Sequence, residues 1–278
     1  MTAELDPHAG SRVAERLREL RGQGRAALVA YLPVGYPSVE RSIEAARVLT
    51  ENGVDIVELG LPYSDPVMDG SIIQQAAAAS LAAGTRISDT FTAVAEISKL
   101  VPTVVMTYFN PVLRYGVEAF AADLAAAGGS GLITPDLVPD EAGQWLEASA
   151  KHGLDRIFLV APSSPAERLA YVSNHTRGFV YAASTMGVTG ERASVGSAAE
   201  QLVADTRAAG ADLVCVGLGV SKREHAAAVG KYADGVIVGS AFVRPLVEGV
   251  NAGDWEGALR NLAHTAQELA AGVAEARS

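Results

Sequence analysis

Short runs rich in Val, Ile, Leu and aromatic residues recur along the chain about 20–45 residues apart, and each is followed by an Ala-rich segment whose apolar positions return with the helical period. The runs predict strands at residues 26–32, 55–59, 103–108, 131–134, 156–160, 178–182, 212–216 and 235–238. The segments between them predict helices at 39–52, 72–83 with 88–100, 117–127, 141–152, 165–174, 197–209, 222–230, 240–246 and 255–271. Runs such as VVMTYF, RIFLVA and DGVIVG show no polar alternation, as strands buried on both faces require.

Eight strand–helix units in one chain match a closed (β/α)8 TIM barrel of class α/β. An open Rossmann or flavodoxin-like sheet is the alternative, and it needs only about five or six strands. Residues 11–21 read as an extra N-terminal amphipathic helix placed to cover the barrel floor. No Pro/Ser-rich linker or change of composition divides the sequence, so 1–278 is expected to be one barrel domain with 1–24 as a helical extension.

Composition narrows the function. The chain has 278 residues, 49% of them hydrophobic, which excludes disorder as its overall description. Its net charge of −10, with no basic cluster, argues against nucleic acid as a partner. One cysteine, Cys215, excludes an intramolecular disulfide and any CxxC framework. No apolar stretch approaches the roughly 18 residues of a membrane span, and residues 1–10 lack a signal-peptide core. A cytoplasmic protein without membrane association is the expectation.

In such a barrel the chemistry lies where strands end and βα loops begin. The second predicted strand leads into Glu58-Leu59-Gly60-Leu61-Pro62-Tyr63-Ser64-Asp65-Pro66-Val67-Met68-Asp69-Gly70-Ser71. Glu58 sits inside an apolar strand end, where lost hydration raises a carboxyl pKa and suits it to general acid work. A Glu bonded to loop backbone for purely structural reasons fits the same position. Asp65 and Asp69 precede Pro and Gly, so each is also an ordinary turn former, and only one of them need face a ligand.

The sixth predicted strand leads through Tyr181 into a long loop with Gly187, Thr189, Gly190 and Gly196, which has the composition of a closing lid or of a solvated loop. Tyr181 points either to the mouth or into a barrel layer. Gly217-Leu218-Gly219 and Gly239-Ser240 end the last two strands ahead of helices, where backbone N–H groups can hold a phosphate or simply make tight turns. None of Lys99, Lys151, Lys222 and Lys231 falls at a strand end suited to a Schiff base. His8, His152, His175, His225 and His264 lie in helices or near the N-terminus, so no metal is expected. What remains is carboxylate acid–base chemistry, free of metal and cofactor, on a small phosphorylated molecule.

These motifs resemble the α subunit of tryptophan synthase. The resemblance rests on Tyr31-Leu32-Pro33-Val34-Gly35-Tyr36-Pro37, on residues 57–66 with Asp69-Gly70, on Gly187-Val188-Thr189-Gly190 and on the two glycine turns, in the family's order over nearly the whole chain. It implies cleavage of indole-3-glycerol phosphate to indole and glyceraldehyde 3-phosphate. Glu58 would be the general acid and base, and Asp69 would accept the indole N–H. Tyr181 and Thr189 would line or close the site, with Thr189 fastening the lid to Asp69. Gly190, Gly217, Gly219, Gly239 and Ser240 would contact phosphate, while Ile73, Tyr108 and Leu218 would border the indole. Many family members carry Phe at position 218, Ala at 68, Pro at 71 and a basic residue near 185, so the resemblance does not fix indole packing, lid kinetics or the shape of the strand-2 loop here.

The resemblance also implies a partner, the pyridoxal-phosphate-containing β subunit, in an α2β2 tetramer. The loops 63–69 and 110–115 and the lid would meet it. Two other readings stand beside this one: a regulatory subunit that activates a β partner, and a different phosphosugar barrel enzyme. The Glu58/Asp69 pair disfavours both.

Overall fold

The computed structural model describes residues 6–183, 197–217 and 219–276. Among them nine parallel strands form one sheet: β1 (Ala27–Pro33), β2 (Ile56–Gly60), β3 (Thr103–Met106), β4 (Gly131–Ile133), β5 (Asp155–Ile157), β6 (Leu159–Val160), β7 (Val180–Ala183), β8 (Val214–Gly217) and β9 (Gly235–Val238). Their order is β5-β4-β3-β2-β1-β9-β8-β7-β6. The two end strands of that order are consecutive in the chain, parted by Phe158, so the sheet returns on itself as a nearly closed barrel. The (β/α)8 expectation holds and the open sheet does not.

The helices are α1 (Arg12–Gly22), α2 (Val39–Glu51), α3 (Ser71–Ala82), α4 (Ile87–Ile97), α5 (Phe109–Tyr115), α6 (Val117–Ala126), α7 (Gly143–His152), α8 (Ala166–His175), α9 (Ser197–Ala208), α10 (Arg223–Gly230), α11 (Ser240–Ala252) and α12 (Trp255–Glu275).

Several predicted boundaries are corrected. The strand expected at 156–160 breaks at Phe158 because it changes partners: Arg156 exchanges backbone bonds with Arg177, while the Phe158 carbonyl accepts from Tyr181. The strand expected at 103–108 ends at Met106, since Tyr108 is already the N-cap of α5. That helix escaped the sequence pattern because its start is held from elsewhere, by Asp136 in the loop after β4. Helix α11 runs through Pro245 to Ala252 rather than stopping at 246, and Gly249 lets it close on Ala258 of α12.

Two apolar layers result from the alternation of side chains along each strand. Val57, Leu59 and Val105 face outward to the helices, whereas Val29, Ile56, Val104, Ile133, Ile157, Phe179, Cys215 and Ile237 fill the barrel. Helix α1 adds Val13, Ala14, Leu17 and Leu20 to the inner cluster and so plugs the end where the strands begin. Ser11 caps α1 and also donates to buried Asp155 at 2.7 Å. Arg16 and Arg25 converge on buried Asp55, each at 2.7 Å, and Arg18 and Arg21 pair with Asp212. Just ahead of the helix, the His8 ring accepts the Gly178 N–H at 3.0 Å. With this end sealed, access to the interior is left to the end where the strands finish.

Candidate active site

Glu58 lies two residues beyond Ile56 on β2, and that parity turns its side chain into the barrel. It is 1% exposed, and Oε2 has no hydrogen-bond partner among the described residues. Tyr31 of β1 and Val104 of β3 are its register neighbours. Burial, and after it the charge of Asp69, pushes the Glu58 carboxyl up to about 8. A carboxylate held in such surroundings keeps its proton at neutral pH and can deliver it to a ligand.

Asp69 and Asp65 are separated by the fold. Asp65 is exposed and accepts from Ser64 at 2.6 Å, as a turn residue does. Asp69 turns inward, 9% exposed, and burial raises its carboxyl to about 6. Its carbonyl accepts the Gln74 side chain at 2.9 Å, and the next residue, Gly70, caps α3. At neutral pH the site therefore pairs a protonated Glu58 with an ionised Asp69, two carboxyl groups held in different states by their surroundings.

Tyrosines wall the two acids. Tyr31, Tyr108 and Tyr181 all sense the charge of Asp69, and burial raises each phenol, Tyr108 to about 12. Tyr31 lies across Gly60 and Tyr181 across Gly217, where a Cβ would collide with the phenol oxygen. The glycine at 217 is thus required by Tyr181 alone, whatever else approaches it. Tyr181 belongs both to the barrel layer and to the mouth, so the alternatives left open by sequence merge. Ile73 of α3 and Tyr31 meet at Gly239, where a Cβ would lie 3.3 Å from Ile73 Cδ1 and 3.6 Å from Tyr31 Cδ1. A small cavity opens between Tyr31, Leu61, Asp69, Ala77, Met106 and Tyr108.

The two glycine turns differ. Gly239 is the N-cap of α11 and Ser240 its first residue, so this turn does present a helix N-terminus. Gly217 and Gly219 do not adjoin one, because extended Lys222 intervenes and α10 starts at Arg223. Gly219 instead supplies a left-handed turn, φ 66°. Thr189, Gly190 and Leu218 lie outside the described residues. In sequence Tyr31 enters only as part of a motif and Met106 is not singled out, although the alternation Ala27, Val29, Tyr31 in the first strand points the tyrosine inward. Sequence reasoning also passed over Asp136, whose role depends on a contact between distant loops.

Comparison with known proteins bears on this geometry. A model of the family described as tryptophan synthase alpha chain matches residues 17–274. The chain is similar to the tryptophan synthase alpha chain of Mycobacterium marinum, 58% identical over 99% of each chain. It is 52% identical to that of Bifidobacterium longum, over 97% of this chain and 94% of the relative. Among solved structures, Mycobacterium tuberculosis tryptophan synthase superposes with a TM-score of 0.88 at 56% identity, covering 95% of this chain and 98% of that one. The alpha subunit from Legionella pneumophila gives 0.86 at 30% identity, covering 95% and 98%.

Proposed function

The chain belongs to the tryptophan synthase alpha chain family, and from that premise we propose how its own residues carry the family's reaction. It is a lyase of tryptophan biosynthesis that cleaves indole-3-glycerol phosphate to indole and glyceraldehyde 3-phosphate, and it works with a β subunit. The regulatory-subunit and other-phosphosugar readings are not favoured.

Cleavage needs a proton on indole C3, loss of the proton from the adjacent glyceryl hydroxyl, and stabilisation of positive charge at the indole nitrogen. In our assignment protonated Glu58 delivers its proton to C3. The carboxylate so formed takes the hydroxyl proton as the carbon–carbon bond breaks and the glyceraldehyde carbonyl forms. Asp69, ionised, accepts the indole N–H and steadies the charge that builds on the ring. The observation that carries this reading is the buried Glu58 carboxyl, whose Oε2 has no partner among the described residues, set apart in protonation from Asp69 by burial.

Around the acids, Gly239 and Ser240 offer the start of α11 to the phosphate, with Gly217, Gly219 and Gly190 as further contacts. Ile73, Tyr108 and Leu218 border the indole, and Tyr181 and Thr189 line or close the site. Exposed Val67, on the loop 63–69, and Leu113, on the segment 110–115 that was expected as a loop and is part of helix α5, support an α2β2 assembly through that face. In this reading 1–278 is one barrel domain with 1–24 as its extension. Among the described residues no helix is long and apolar enough to cross a membrane, and a cytoplasmic location is proposed.

Turnover of Glu58→Gln tests the assignment. The variant keeps shape but cannot transfer a proton, so turnover is lost while substrate affinity stays within about tenfold of the parent. Near-normal turnover refutes the role given to Glu58.

A further inference from the structure

The loop that carries Asp69 is tied to a different β/α unit. The Met68 backbone N–H, one residue before Asp69, donates to the Tyr108 hydroxyl at 2.9 Å. Tyr108 is 5% exposed and is the N-cap of α5. Both of its chain neighbours are held. The Thr107 N–H donates to the Ile133 carbonyl at 3.1 Å. The Phe109 N–H, first in α5, donates to both carboxylate oxygens of Asp136, at 2.9 and 3.1 Å. Tyr63 of the Asp69 loop lays its ring against Tyr108 at 5.2 Å, and Asn110 Nδ2 donates to the Tyr63 hydroxyl at 3.2 Å.

We propose that Asp136 and the Tyr108 hydroxyl form a two-link brace that positions Asp69. Asp136 fixes the start of α5, Tyr108 hands that position across to Met68, and Met68 sets where the Asp69 carboxylate stands. Tyr108 thereby gains a part distinct from bordering the indole: its ring can pack against substrate while its hydroxyl holds the loop. Asp136 is a positioning residue that touches neither acid. The inference rests on the assignment of Asp69 to the indole N–H. The groups that face Asp69 are Glu58 from β2, Tyr31 from β1, Tyr108 at the head of α5 and Tyr181 from β7.

Four variants of the full chain test the brace: Tyr108→Phe, Asp136→Ala, Asp136→Asn and the double Tyr108→Phe/Asp136→Ala. Each is assayed for kcat and KM with β subunit present, and each is titrated free of ligand by carboxyl 13C NMR of Asp69. Tyr108→Phe keeps the ring, so KM stays within about threefold while kcat falls by about tenfold to a hundredfold, the scale of a misplaced catalytic group. Its Asp69 titrates lower than in the parent, because a loosened loop admits water. Asp136→Ala moves both readouts the same way, and Asp136→Asn restores them because its amide oxygen still accepts the Phe109 N–H. The double variant is no worse than Tyr108→Phe, since both changes cut one path.

Additive losses in the double variant, or an Asp69 titration unmoved in Tyr108→Phe, overturn the brace. If the parent chain releases no indole, the proposed reaction fails by itself, and the ligand-free titration still decides whether the brace exists.

Discussion

Relative to the parent chain, Glu58→Gln should gain stability as the pH rises. Burial lifts the Glu58 carboxyl from its ordinary 4.5 to about 8 in the fold. The folded state is then favoured fully only below about 4.5, and that contribution is lost progressively as pH climbs through about 8. At about 1.4 kcal/mol per pKa unit, the wild-type chain is penalised by about 1 kcal/mol at pH 5, about 3 at pH 7 and about 5 at pH 9. Gln carries no charge at any of these values. Its unpaired amide costs the same at each pH, so the trend is the diagnostic quantity rather than the offset. Titrating groups other than Asp69, whose charge is coupled to that of Glu58, are common to both chains and cancel.

For a chain of this length 1 kcal/mol moves Tm by roughly 2 °C. The Tm gap, Gln variant minus parent, should therefore widen by about 8 °C between pH 5 and pH 9 in thermal unfolding followed by circular dichroism. A gap that does not change with pH refutes the reasoning. It would mean that the carboxyl is solvated or paired with a cation, and that its protonation at neutral pH, on which the acid role depends, is absent.

Other consequences can be measured directly. Indole release should follow a bell in pH, rising through about 6 as Asp69 ionises and falling through about 8 as Glu58 loses the proton it donates. A flat profile across that window contradicts the division of labour. Gly217→Ala forces a Cβ onto the Tyr181 hydroxyl and should cost about 1–3 kcal/mol by unfolding, with turnover impaired. An unaltered Tm and kcat would show that Tyr181 does not lie there. Leu17→Ala empties a fully buried position of the α1 plug, so urea unfolding should register a loss of about 2–5 kcal/mol, and a loss well under 1 would mean that α1 does not seal the barrel.

The barrel was legible because parallel strands buried on both faces leave continuous apolar runs, and eight of these alternate with helical periods. Glu58 was legible for the opposite reason, as a charge where the pattern demands an apolar residue. What stayed hidden depends on contacts between distant segments. Asp65 and Asp69 share the same local chemistry, and only the path of the loop sends one outward and the other in. Helix α5 begins where Asp136, after the next strand, accepts its first N–H, so no local signal marks it. The fifth predicted strand breaks because Arg156 finds a partner in Arg177. The glycines at 217 and 219 read in sequence as the head of a helix, yet α10 starts only at Arg223, so any phosphate contact there is made by turn backbone rather than by a helix N-terminus.

The central claim is that this chain cleaves indole-3-glycerol phosphate with Glu58 and Asp69 and does so in partnership with a β subunit. It is tested most directly by indole release from that substrate by the purified chain, with chelator present, before and after a tryptophan synthase β subunit is added. The account predicts weak release that rises strongly on addition and disappears in Glu58→Gln. No indole in either condition, or full release by the Glu58→Gln chain, would contradict it.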